Sequence, residues 1–153
     1  MENQPLNTNL NLSKVKTTIP LIQDGTMVKV RLADITETQR DGATIIKMEF
    51  RLVDGAPADD GHQIGAGFPL FVNFDTTLEF LQQKLARFID GLLGTGDEGN
   101  KKGKPARPDL TPELVPTLIG KEAVAKVIVT RSKKSDYVGN DIQGLTHPSD
   151  LAV

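Results

Sequence analysis

Period-two alternation confined to separate short runs, with one long helical repeat among them, is the feature that most restricts how this chain can fold. From Met27, Val28, Val30 and Leu32 alternate with Lys29, Arg31 and Ala33, and successive side chains of a strand point to opposite faces, so this run reads as a half-buried strand. After Arg40-Asp41-Gly42, which carries an Asp-Gly turn signal, Ile46, Met48, Phe50 and Leu52 alternate with Ile45, Lys47, Glu49 and Arg51. The two runs read as an antiparallel pair. The polar stretch Asp54 to Gly61 is expected to be an exposed loop, and a third run then sets Phe68, Leu70, Val72 and Phe74 inward and Phe71 and Asn73 outward.

Beyond the third run the period changes. Thr76-Thr77-Leu78-Glu79 has the spacing of a capping box, and Leu78, Leu81, Leu85, Phe88, Ile89 and Leu92 recur at helical intervals. Residues 94–110 are rich in Gly, Pro, Lys and Arg and read as a flexible basic loop. Thr111-Pro112-Glu113 resembles a cap with proline at the first helical position, predicting a short second helix that ends near Gly120. Ala123 to Val129 and Val138 to Leu145 complete the set as fourth and fifth strands.

Five short strands, with a helix and a short second helix between the third and fourth, is the order of an OB fold. The expected fold is therefore mainly β, a five-stranded OB-fold-like closed barrel whose closure hides its sheet edges. A β-sandwich competes, but it usually needs more strands and no such helix in mid-chain. The expected organisation is a polar N-terminal arm over 1–24, the barrel over 25–146 and a tail over 147–153.

Of the 153 residues none is cysteine, which excludes a disulfide framework, a thiol nucleophile and thiolate zinc sites. No apolar run approaches the roughly eighteen residues of a membrane span, and the start of the chain is polar, so neither export nor membrane insertion is expected. The net charge of -2 provides no overall field for polyanions, so an anion site must arise from local clustering.

Enzyme signatures are scarce. His62 and His147 are the two histidines, lie far apart and sit in no metal-ligand spacing. Gly103-Lys104 is followed by Pro105 rather than Ser or Thr, and follows a helix, so it fails as a phosphate loop. Asp59-Asp60 and Asp97-Glu98 lack further hard-cation ligands nearby and read as solvated turns. No catalytic residue, metal or cofactor is assigned, and the chain is expected not to be an enzyme.

Basic and aromatic residues are placed more suggestively. Lys29, Arg31, Lys47 and Arg51 fall on the outward faces of the first two strands, Phe71 joins them from the third, and Lys126 is outward on the fourth. Arg40 lies in the loop between the first two strands, while Arg131, Lys133, Lys134 and Tyr137 belong to the loop before the fifth. From Gly120 to Tyr137 the local excess is three positive charges in a net-acidic chain. Lys101, Lys102, Lys104 and Arg107 form a second basic cluster. Such faces and loops are where OB folds hold single-stranded nucleic acid or oligosaccharides, by cationic contacts to phosphate and stacking on aromatic rings. Alternating charge is equally what a solvent-facing sheet looks like, and lysine also deters edge pairing.

The run Gly120-Lys121-Glu122-Ala123-Val124-Ala125-Lys126-Val127, the run Lys133 to Gly144, and the helix after the third strand resemble the small OB-fold single-stranded-DNA-binding proteins of tailed phages and prophages. The resemblance spans Met27 to Gly144. It implies non-catalytic, sequence-tolerant binding of single-stranded DNA during phage-type replication or recombination, in the cytoplasm of a bacterial host, with replication or recombination proteins as further partners. Self-association into a homo-oligomer stays open. Ser149-Asp150-Leu151-Ala152-Val153 lacks the acidic tail common in bacterial single-strand binders, and tryptophan is absent. The rival from another class is a structural or interaction protein, such as a virion component, that uses the barrel, the arm and the 101–107 loop for subunit contacts.

Overall fold

A computed structural model of the chain describes residues 5, 7–10, 12–13, 20–132 and 138–151. Its frame is one five-stranded antiparallel sheet in the order β5 (Pro69–Asp75), β2 (Ala43–Leu52), β1 (Thr26–Arg40), β6 (Glu122–Arg131), β7 (Val138–Thr146). β1 (Thr26–Arg40) turns back into β2 (Ala43–Leu52) through Asp41 and Gly42. Both residues have positive φ, 52° and 79°, which matches the twist of the flanking strands and explains the Asp-Gly pair.

β1 runs well beyond the alternation that announces it. Its first half pairs with β6 (Glu122–Arg131) on one side, from Thr26 opposite Val127 to Arg31 opposite Glu122. A bulge between Leu32 and Asp34 then carries the strand away from β6, and it continues against β2 alone. β5 (Pro69–Asp75) flanks β2, and β7 (Val138–Thr146) flanks β6.

Alternation buries one face. Val30, Leu32, Met48, Phe50, Val72, Phe74, Ala123, Ala125, Val127 and Ile142 form a continuous core. Helix α1 (Glu79–Leu93) closes it with Phe88, Ile89 and Leu92. The Phe88 ring meets Phe50 and Phe74 edge-on, with centroids 6.0 and 5.2 Å away. Burial of Phe88 stabilises by about 1.5 to 3 kcal/mol, and each edge-to-face pair adds roughly 0.5 to 1.5.

The expected closed barrel is not found: among the described residues no ladder joins β5 to β7, although their Cα atoms come within 8 Å. Helix α1 packs against both edge strands. Gly91 lets it sit so close to β7 that a Cβ there would lie 2.6 Å from Leu145 Cβ.

Other expectations are corrected by contacts distant in sequence. The stretch 54–61 is not wholly exposed: Ala56 and Ala58 are buried. β3 (Ala56–Pro57) pairs with β4 (Gln63–Ile64), and Ala58 bridges the fully buried Ile22. Asn140 clamps Ile22 further, its Oδ1 accepting from the Ile22 amide at 2.7 Å and its Nδ2 donating to the Ile22 carbonyl at 3.0 Å.

The capping box does not form. The Thr76 hydroxyl donates to the Thr44 carbonyl on β2 instead, Asp75 accepts from the amide and hydroxyl of Thr77, and α1 starts after Leu78 without a side-chain cap. The short second helix, α2 (Val115–Leu118), begins later than Thr111-Pro112 suggests and carries its proline inside the first turn. The 94–110 segment is held at several points. Arg107 donates to both carboxylate oxygens of Asp90, at 2.9 and 2.7 Å, and to Asp97 at 2.6 Å, while Lys104 reaches Asp150. The chain ends its described part in a 3₁₀ turn, Pro148–Leu151.

Candidate nucleic-acid interface

The strand pairing brings together residues from four strands on the outward face. One row across the sheet runs Pro69, Arg51, Arg31, Glu122; the next toward the hairpin runs Phe71, Glu49, Asp34, and the one beyond it Asn73, Lys47, Thr36. In the other direction Lys29 lies opposite Val124, and Met27 opposite Lys126. Lys29, Arg31, Lys47, Arg51, Phe71 and Lys126 are all exposed on this face. Arg40 joins them at the end of β1, because the bulge shifts the outward positions to Asp34, Thr36, Thr38 and Arg40.

Arg131 is not brought there. By the alternation of β6 it falls on the side of Val127 and Val129, and it is exposed because the strand has run past the core. Lys133, Lys134 and Tyr137 lie outside the described residues. The second basic cluster divides: Lys104 and Arg107 are paired with acids, whereas Lys101 and Lys102 are exposed beside a cleft that includes His147.

Phe71 is 44% exposed, and the Lys47 ammonium sits 4.6 Å from its ring centroid. An ammonium over an aromatic face is favoured by the ring quadrupole, by about 0.5 to 1 kcal/mol at an exposed site. The pair presents one ring face to the lysine and leaves apolar surface open to solvent beside a positive charge.

Acids interleaved on the same face temper its charge. Glu122 accepts from Arg31 at 2.8 Å and lies 3.9 Å from Lys29, and the Arg31 hydrogen bond holds its carboxyl below the usual range, with the nearby positive charge of Arg31 and then of Lys29 acting the same way. Arg51 pairs with Glu49 at 3.0 Å and also donates to the Gly67 carbonyl. Among the described residues, no carboxylate lies within salt-bridge distance of Arg40, Lys47 or Lys126. Of the cations on this face, these three are the most available to an anionic ligand. Glu49 could have been read as a neutralising neighbour from its place two residues from both Lys47 and Arg51; Glu122 could not, since its partner Arg31 is 91 positions away.

A cleft lies at the hairpin end of this face, walled by Ile45, Lys47 and Asn73 of the sheet, Thr38 and Arg40 of the hairpin, and Leu81 of α1. Ile45 and Asn73 are legible as outward residues in the alternation, but Leu81 reaches the cleft only through the packing of α1. Among the described residues no group of three or more His, Cys, Asp or Glu side chains converges as a metal site, and no helix is long and apolar enough to cross a membrane. A scan against protein-family models finds no match, and a search of curated proteins finds none either.

Proposed function

We propose that this chain binds single-stranded DNA without strong sequence preference and without catalysis, using the outward face of β1, β2, β5 and β6. The observation that carries the reading is the exposed Phe71 ring under the Lys47 ammonium, on a face where Arg40 and Lys126 have no acidic partner among the described residues. Stacking platforms beside phosphate-seeking cations are what single-strand binders need, because every base has a π face and every nucleotide a charge. A partly open five-stranded antiparallel sheet, with helices between its third and fourth strands, supports assigning the fold to the OB type. Phage-type replication or recombination is the process that the resemblance of Gly120 to Gly144 supplies.

Fluorescence anisotropy with a labelled oligothymidylate at several salt concentrations tests this. If about three to four cations meet phosphates, log affinity falls with log salt at a slope of roughly -2 to -3, and duplex of equal length binds more weakly. A flat salt response, or equal affinity for duplex, sinks the reading.

A further inference from the structure

We infer that the cleft between the β1-β2 hairpin tip and the start of α1 is a nucleobase pocket, taking one base of the bound strand out of the stack next to Phe71. This inference rests on the single-strand-binding reading and adds a defined subsite to it. The cleft measures about 680 Å³, within the range of roughly 300 to 1,000 Å³ usual for small-ligand sites.

Its chemistry selects a base rather than a phosphate. Arg40 and Lys47 line it, but so do Asp41 and Asp75, so the formal charges cancel inside. Thr77 donates twice to Asp75, through its hydroxyl at 2.6 Å and its amide at 2.9 Å, and these bonds hold the Asp75 carboxyl below the usual range, so it stays ionised and unwelcoming to phosphate. Ile45 and Leu81, with Ala43, supply apolar walls against which a flat ring can lie.

Polar groups for a base edge are present and unused. Among the described residues the Asn73 amide and the Thr38 hydroxyl have no hydrogen-bond partner. A side-chain amide offers a donor beside an acceptor, and each of the four bases carries such a complementary pair on its edge. Asn73 can therefore hold any base, which agrees with sequence-tolerant binding. Register places Asn73 directly opposite Lys47, and Lys47 lies over Phe71. A strand stacked on Phe71 thus has its neighbouring nucleotide at the cleft mouth, with Lys47 on one side and Arg40 on the other for the flanking phosphates.

The test uses the full chain, a labelled oligothymidylate and the variants Asn73→Leu and Leu81→Glu. Each should weaken binding about tenfold, since each leaves a base edge unpaired or places a charge against it. In parallel, thymidine 5′-monophosphate added to the isotope-labelled wild-type chain should shift the amide resonances of Thr38, Ile45, Asn73 and Leu81, a readout independent of whether either variant folds. Wild-type affinity in folded variants, or nucleotide-induced shifts confined to other residues, overturns the pocket while leaving single-strand binding intact. No oligonucleotide binding by the wild-type chain overturns both.

Discussion

At Gly91 two effects of known size oppose each other. Replacing a helical glycine with alanine ordinarily gains about 1 kcal/mol of helix propensity. Here the new Cβ would lie 2.6 Å from Leu145 Cβ and 2.9 Å from the Leu145 carbonyl oxygen. Backbone must move to relieve that, at a cost of roughly 1 to 3 kcal/mol. Gly91→Ala should therefore lower the urea midpoint, and an unchanged or higher midpoint would mean that β7 yields without cost. Phe71 poses the converse case, exposed enough that its loss barely touches the core. Phe71→Ala should leave the urea midpoint nearly unchanged yet weaken oligothymidylate binding by roughly 1 to 3 kcal/mol, and unaltered affinity in an anisotropy titration would remove the ring from the site. Its outward position was legible because alternation in a strand has only two answers. That Lys47 sits over the ring was not, because it depends on how β2 registers against β5.

Elements in this molecule are held as much by remote side chains as by their own propensities. Arg107 joins the segment after α1 to Asp90 near the helix end and to Asp97, with its side chain and that of Asp90 both about three-quarters shielded. The acid pair holds the Arg107 guanidinium even more firmly protonated than usual, the hydrogen bond to Asp90 contributing most. Arg107→Ala should cost about 1 to 3 kcal/mol by urea denaturation. It should also speed hydrogen exchange at the Gly96 and Arg107 amides, which bond across the segment. Arg107→Lys should recover only part, since an ammonium cannot engage both oxygens of Asp90; full recovery would show that charge alone holds the segment. None of this was readable from a stretch whose composition suggests a loop. The long strands and α1 were readable because their apolar periods persist for several residues. β3 and β4 have two residues each, too few to leave a period in the sequence, and the Ile22–Ala58 bridge beside them joins residues far apart in the chain. The Thr76 cap failed for a similar reason, a β2 carbonyl having claimed its hydroxyl.

For the whole molecule, ionic pairing sets how stability responds to acid. Glu122 and Asp150 have carboxyls lowered from their ordinary values of 4.5 and 3.8, chiefly by hydrogen bonds from Arg31 and Lys104, and Asp75 is lowered from 3.8 by Thr77. A carboxyl with a depressed folded pKa binds its proton more readily in the unfolded chain. Its contribution is thus complete above the unfolded value and disappears as pH falls through the folded one. Melting temperature should stay level from pH 7 to about 5.5 on this account and decline as pH drops through the carboxylate range of about 4 and below. Because Glu122 and Asp150 are lowered by charged partners at the surface, salt should shrink their share of the effect, whereas the neutral Thr77 bonds to Asp75 should respond less. The double variant Glu122→Gln, Asp150→Asn isolates the cause: it should start lower at neutral pH and lose less on acidification, so the two melting curves converge at low pH. Parallel curves for variant and wild type would assign the acid response to other groups. Convergence would show that the pairs joining β1 to β6, and the 94–110 segment to the C-terminal turn, form part of the acid-sensitive stability of the fold.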